Sequence, residues 1–320
     1  MNAACTESEF IELVETLGTR EAARRLRCSH RSVLRRRRNL ERKYHKTIKV
    51  PDKNTGPGSP TKELQDHPAR QEIKINDGTI LIGSDSHYWP GIISTAHRAF
   101  VHFNRELKPK YVVKNGDELD FPRISRHAPI QWEEQPSVVK EIEAAQDRLH
   151  EITEANKNAG YLWPLGNHDG RYETKLATVA PEYAKIHGVH LKDHFPRWKP
   201  CWSVWVNDDV VIKHRWANGI HAVYNNTLRS GKTIITGHLH SLKVTPWTDY
   251  NGTRFGVDCG TMAHPYGPQF EGYMEDNSRN WRSGFIVLTF HKGRLLWPEI
   301  VHVIDEDKGL VEFRGDVIKV

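Results

Sequence analysis

The chain has 320 residues, 38% of them hydrophobic and 27% charged, a composition that suits one large globular domain plus a small accessory one. No apolar run of about 18 residues occurs, so no membrane-spanning helix is expected, and Met1 to Phe10 lack the basic-then-apolar pattern of a secretory leader. Cys5, Cys28, Cys201 and Cys259 are scattered without a CxxC pair, which argues against a disulfide framework or thiolate zinc site and fits a reducing cytoplasm, a host's if the source is viral.

The net charge of +6 is unevenly placed. Residues 1–50 hold 13 Lys and Arg against 6 Asp and Glu, whereas the other 270 hold 33 against 34. Charges clustered within a Debye length act together on a phosphate, so the block says more than the average. Residues 1–48 read as a small helical module. Phe10, Ile11, Val14 and Leu17 share one helical face; Gly18 ends that helix; Thr19 caps a second with Ala22, Ala23 and Leu26 inside. Ser29 caps a third helix, over 29–44, carrying Val33, Leu34 and Leu40 on one side and many arginines elsewhere. The pattern resembles the helix-turn-helix segments of the homeodomain-like class. That resemblance implies DNA as a partner, with Ser29, His30, Arg31 and Ser32 nearest the bases and Arg35, Arg36 and Arg38 nearest the phosphates. A solvated basic helix or a protein-docking module is the alternative.

Residues 49–72, with Asn-Thr-Gly-Pro-Gly-Ser-Pro inside, can sustain neither helix nor strand and read as a linker. From residue 73 to 320 strands and helices alternate. Strands are expected at Thr79–Gly83, Tyr111–Asn115, Tyr161–Leu165, Val210–Lys213 and Thr233–Thr236, and helices at Ser94–Leu107, Ser137–Asn156 and His221–Ser230. Trp202–Lys213 reads as a hairpin turning at Asn207-Asp208. After residue 242 the segments are β-rich, with turns at Asn251-Gly252 and Lys292-Gly293. Alternation followed by a meander predicts an α/β fold, a layered sandwich of two sheets flanked by helices, with the small all-α module in front.

Each expected strand runs into metal-binding residue types: Asp85-Ser86-His87, then Gly116-Asp117-Glu118-Leu119-Asp120, Gly166-Asn167-His168-Asp169, His214, and Gly237-His238-Leu239-His240. Loops at the carboxyl ends of neighbouring strands can converge on one ligand. The ordered series resembles the calcineurin-like metallophosphoesterase superfamily, whose motifs run DxH, GDxxD, GNH(D/E), a single His, then GHxH. The resemblance implies two divalent ions bridged by Asp117 and a bridging hydroxide that attacks a phosphoester. One ion would be held by Asp85, His87, Asp117 and His240, the other by Asp117, Asn167, His214 and His238. Oxygen and nitrogen donors suit Mn²⁺, and also Fe or Zn²⁺. His168 would protonate the leaving oxygen, and Asp120 would orient it. Arg171 could reach the phosphate or serve a surface ion pair, and Asp169 shapes the turn. His221 rivals His214, which is preferred because it ends the apolar run Val210-Val211-Ile212. Most of the 19 histidines, His97, His127 and His190 among them, read as ordinary core or surface groups. Phe121 stands where protein phosphatases of the superfamily carry an Arg, which weakens a protein-phosphatase reading.

The expected activity is thus metal-dependent phosphoester hydrolysis. The basic module directs it toward DNA, in the manner of repair exonucleases or fused phage proteins of this superfamily. A small-molecule phosphatase or cyclic-nucleotide phosphodiesterase is the second reading. A DNA-binding regulator with a structural phosphoesterase domain is the third.

Overall fold

The computed structural model describes residues 5–48, 50, 67–130, 132–275 and 277–320. Residues 51–66, most of the expected linker, lie outside the described residues. The chain divides into two compact units, Met1–Asp66 and His67–Val320. No helix among the described residues is long and apolar enough to cross a membrane.

In the first unit, α1 spans Glu7–Arg25 and α2 spans His30–Tyr44. Thr6 and Glu9 close a capping box at the start of α1, and Gly18, at φ 77° and ψ 166°, breaks that helix in two where the sequence places a helix end. Phe10, Val14, Ala22, Ala23, Val33, Leu40 and Ile48 form one buried cluster, so the expected apolar faces meet. Ser29 caps α2 by accepting from Ser32 N at 3.1 Å.

Among the described residues the second unit holds fifteen strands in two sheets. The first sheet has the order β1 (Arg70–Ile73), β6 (Ser203–Val206), β7 (Val210–Ile212), β8 (Thr233–Thr236), β10 (Gly252–Asp258) and β9 (Lys243–Asp249). The second runs β15 (Asp316–Lys319), β14 (Leu310–Phe313), β13 (Glu299–Asp305), β11 (Gly284–His291), β2 (Gly78–Gly83), β3 (Tyr111–Lys114), β4 (Gly160–Pro164) and β5 (Lys199–Cys201), with β12 (Arg294–Leu295) paired on β11. β2 to β5 are parallel neighbours. Strand periodicity explains the layering. Ile80 and Ile82 of β2 face a core shared with Val204, Ile212, Ile235 and Val257 of the other sheet. Leu81 points the opposite way, onto α3 (Thr95–Leu107) and α4 (Val138–Ala155) through Phe100, Phe103, Leu149 and Ile152. Ser94 and Ser137 cap those helices by accepting backbone N–H groups.

Expected strand and helix ends fall within a residue or two of those observed. Three differences stand out. β1 begins at Arg70, inside the expected linker, because it pairs in parallel with β6 far along the chain. The hairpin expected to turn at Asn251-Gly252 turns at Tyr250-Asn251 instead, since Gly252 pairs with Asp249. The segment after residue 242 also contains a helix, α7 (Pro268–Met274).

Candidate metal centre

All five motif loops leave the carboxyl ends of strands: β2, β3, β4, β7 and β8. The turns are tight. Asp85, His87, Asp117, His238 and His240 have φ of 55°, 39°, 54°, 72° and 56°, left-handed values that cost on the order of 1–3 kcal/mol each. Two glycines make the crowding possible. A methyl at Gly166 would overlap the Asp117 carboxylate, and one at Gly237 would overlap Ser84 and Asp85.

The expected ligands gather in two groups, and His87 also meets Asp120 and His168 in a third. Ligand atoms of Asp85, His87 and His240 lie within 4.8 Å of one another, and so do those of Asp117, His214 and His238. His214 Nε2 is 3.0 Å from Asp117 Oδ2, whereas the rival His221 sits exposed ahead of α6 (Ala222–Ser230). Asn167 and Arg171 line the same cavity as His87, His240, Asp117 and His238. The donors fit divalent ions by the atoms they leave unused. His87 Nε2, Asn167 Oδ1 and His240 Nδ1 are buried without a hydrogen-bond partner among the described residues, a cost that cation ligation removes. The opposite nitrogens of two imidazoles are anchored, His87 Nδ1 on Asp120 Oδ1 at 3.1 Å and His214 Nδ1 on the Asn115 carbonyl at 2.7 Å.

Electrostatics keep the carboxylates ionised. Burial alone would raise the Asp85 pKa, but the His240 and His214 charges outweigh it and bring it to about 2. Burial also opposes ionisation of Asp117, and the His214 charge again prevails, pulling its pKa well down. Burial disfavours the charged form of His214, yet Asp117 and Asp85 push it up to about 10. Burial and the neighbouring His214 charge bring His238 down to about 4. A cation entering beside Asp117 therefore competes with a proton on His214.

His168 heads α5 (Asp169–Val179), its Nδ1 2.7 Å from Asp120 Oδ1. Its Nε2 lies 3.9 Å from Asp117 Oδ2 and 3.3 Å from Arg171 Nη2. Burial lowers its pKa, and the Asp120 hydrogen bond with the Asp117 charge more than compensates, leaving it raised. Asp120 thus orients two imidazoles, His168 as expected and His87 in addition. Arg171 is no surface ion pair: its Nη1 donates to the Asp120 carbonyl at 2.6 Å.

Asp169 does more than shape a turn. Its carboxylate accepts from Gly166 N at 2.8 Å, Asp117 N at 2.9 Å, Glu118 N at 3.0 Å and Trp163 Nε1 at 3.1 Å, tying the second motif loop to the third. Sequence reasoning also passes over Lys114 and Glu118, fully buried and 3.1 Å apart, with Lys114 Nζ donating to Ser86 Oγ at 2.6 Å behind the first loop. His127, read as an ordinary histidine, lines the cavity, as do Phe270 and Trp281. Of these, only Lys114 carried a signal, a cation inside an apolar strand.

In the first unit the residues expected to touch DNA separate. Arg31, Arg35 and Arg38 are exposed and free of ion pairs among the described residues, and Arg42 continues their row. Arg36 is turned inward, against expectation: its Nη2 donates to the Cys5 carbonyl at 2.6 Å and its guanidinium covers the Phe10 ring at 4.5 Å. His30 Nε2 is taken by Thr19 Oγ1 at 2.9 Å, and Ser32 Oγ by Ser29 Oγ at 2.8 Å.

No family model matches the chain. It is similar to the Gene 54 protein of Mycobacterium phage D29, 26% identical over 237 residues covering 65% of this chain and 87% of that protein. The Gene 54 protein of Mycobacterium phage L5 is 25% identical over 233 residues, with the same shares covered. Among solved structures, an archaeal phosphodiesterase aligns over 69% of this chain and 99% of its own, at 17% identity and a TM-score of 0.36. A dimetal phosphatase from Danio rerio aligns over 76% and 98%, at 12% identity and a TM-score of 0.38.

Proposed function

We propose that this protein is a two-metal phosphoester hydrolase and that its substrate is a nucleic-acid phosphodiester. The observation that carries the hydrolase reading is the side-by-side grouping of Asp85, His87 and His240 with Asp117, His214 and His238 at adjoining strand ends. Two divalent ions, Mn²⁺ or else Fe or Zn²⁺, would neutralise the ester and lower the pKa of a water between them. Asp117 would bridge them; Asp85, His87 and His240 would complete one site, and Asn167, His214 and His238 the other. His168 acts on the leaving group. Asp120 holds its Nδ1 and turns Nε2 toward the cavity, where the imidazole can give a proton to the departing oxygen. Arg171, braced on the Asp120 carbonyl, adds fixed positive charge beside that nitrogen.

The DNA reading is supported by α2. Arg31, Arg35, Arg38 and Arg42 stand at i, i+4, i+7 and i+11, one helical face, and none spends its charge on a carboxylate among the described residues. A small nucleotide diester is the second reading, favoured by a cavity of about 650 Å³ at the cluster.

The test offers Mn²⁺-reconstituted protein single-stranded DNA, duplex DNA, bis-p-nitrophenyl phosphate and p-nitrophenyl phosphate in parallel. Diester cleavage with two ions per chain by elemental analysis is expected. Absence of bound transition metal, or of turnover on every substrate, refutes the hydrolase. His168→Ala should keep its ions and lose about 10²–10⁴-fold in rate. Loss of metal with an unchanged rate per ion would instead make His168 a ligand.

A further inference from the structure

The cavity at the metal cluster has an unusual wall. From the His87 and His240 imidazoles it continues into Phe270, whose ring lies 5.4 Å from His87 and 6.0 Å from His240, and into Trp281, 4.4 Å from His240. Phe270 and Trp281 touch at 5.0 Å and belong to a separate apolar cluster with Ala263 and Met274, built on the segment between β10 and β11. Arg279 sits 5.3 Å from the Trp281 ring centre, its guanidinium held by the Pro265 carbonyl.

The ring geometry is specific. Trp281 meets His240 at 67° and Phe270 at 71°, so neither packs parallel to it. Aromatic rings also favour offset parallel stacking; among the described residues no ring stacks on Trp281 in that way, Arg279 lying over one face and leaving the other to a ligand. The same wall carries one unused polar atom. Gln269 gives its Nε2 to the His87 carbonyl at 3.3 Å, which leaves its Oε1 buried without a donor. A planar group with N–H on its edge satisfies both features, and a nucleobase is such a group.

We propose that Trp281 and Phe270 form a nucleobase subsite beside the metal cluster, with Gln269 accepting from the base edge. It rests on the phosphoester reading of the centre and narrows the substrate to nucleotidyl esters. Stacking on Trp281 requires a base free of its duplex neighbours, so single strands and frayed ends are accepted and intact duplex is not.

Calorimetry on the Mn²⁺-loaded protein compares AMP with ribose 5-phosphate, which has the same phosphate and no base. AMP should bind about 10-fold tighter or more. Trp281→Ala should erase that preference and Trp281→Phe should keep most of it, so a lost ring is told apart from a lost fold. In parallel, the kcat/KM ratio of thymidine 5′-(p-nitrophenyl phosphate) to methyl p-nitrophenyl phosphate should fall toward one in Trp281→Ala. Equal binding of AMP and ribose 5-phosphate by the unmodified protein overturns the subsite, as does a preference that survives Trp281→Ala. Failure to cleave either ester, with the Trp281-dependent preference intact, would sink the hydrolase reading and leave the subsite standing.

Discussion

Along α2, Arg31, Arg35, Arg38 and Arg42 line an exposed face with no carboxylate of the described residues against them, whereas at the strand ends Asp85, Asp117, Asp120 and Asp169 are buried and every one is engaged. The two regions concentrate charge of opposite sign by opposite means. Arginines on one helix face need only helical periodicity, and their mutual repulsion is damped by water and salt. Buried carboxylates need a partner for nearly every lone pair, because an unpaired charge in the interior costs several kcal/mol. Charge on the helix is therefore adjustable one residue at a time, while charge at the strand ends stands or falls as a network.

Asp169→Ala is the sharpest way to break the second half of that contrast, and it carries the largest expected effect. It strands four backbone N–H donors in two motif loops and the Trp163 indole N–H at once, and a loss of about 3–5 kcal/mol in stability should accompany loss of metal. Urea unfolding and metal content, measured together, check it. A variant with unchanged midpoint and full occupancy would mean the loops hold their shape without the carboxylate.

For the exposed half, replacing Arg31, Arg35, Arg38 and Arg42 with Ala should leave hydrolysis of a small chromogenic diester as it was. DNA affinity should fall, and the slope of log K against log salt should flatten by up to about 3.6. Filter binding across a salt series reads it. Partial replacements should flatten the slope in proportion, since surface charges act nearly independently. An unchanged slope removes α2 from the DNA contact and favours its docking on a protein.

How much of this was legible without coordinates follows the same division. The strand-end series was readable because each ligand follows its own apolar strand, a local signal, and His214 was favoured over His221 by that rule. The Ser29 cap was local as well, and so were the helix starts at Ser94 and Ser137. Arg36 misled because a row of arginines looks uniform in sequence, while the helix turns one of them onto Phe10 and the Cys5 carbonyl. β1 was hidden because its pairing partner β6 lies more than a hundred residues away. The wall of Phe270 and Trp281 was hidden too: α7 is short, and only tertiary packing brings its ring against His87. Asp120 showed one role, for His168, because its second partner His87 comes from another strand end.

A pH-dependent effect concerns a buried acid that the network does not neutralise. Glu141 of α4 accepts from Phe121 N at 2.8 Å through Oε1, while its Oε2 is buried without a partner. Burial is the largest influence and pushes its pKa up to about 8, with the Phe121 hydrogen bond opposing. The folded protein therefore holds this proton more tightly than the unfolded chain, whose Glu titrates near 4.5. Below that value both states are protonated and the residue costs nothing. As pH rises toward about 8 the unfolded chain releases the proton while the folded protein retains it, so stability declines across that window and levels off above it. Glu141→Gln keeps an oxygen for Phe121 N and cannot ionise. Unfolding free energies of the two proteins should therefore be close at pH 4.5 and diverge in favour of the Gln variant by pH 8. Parallel curves across that range would show that the carboxyl ionises freely in the folded protein, and that the strand-end region tolerates an unpaired charge after all.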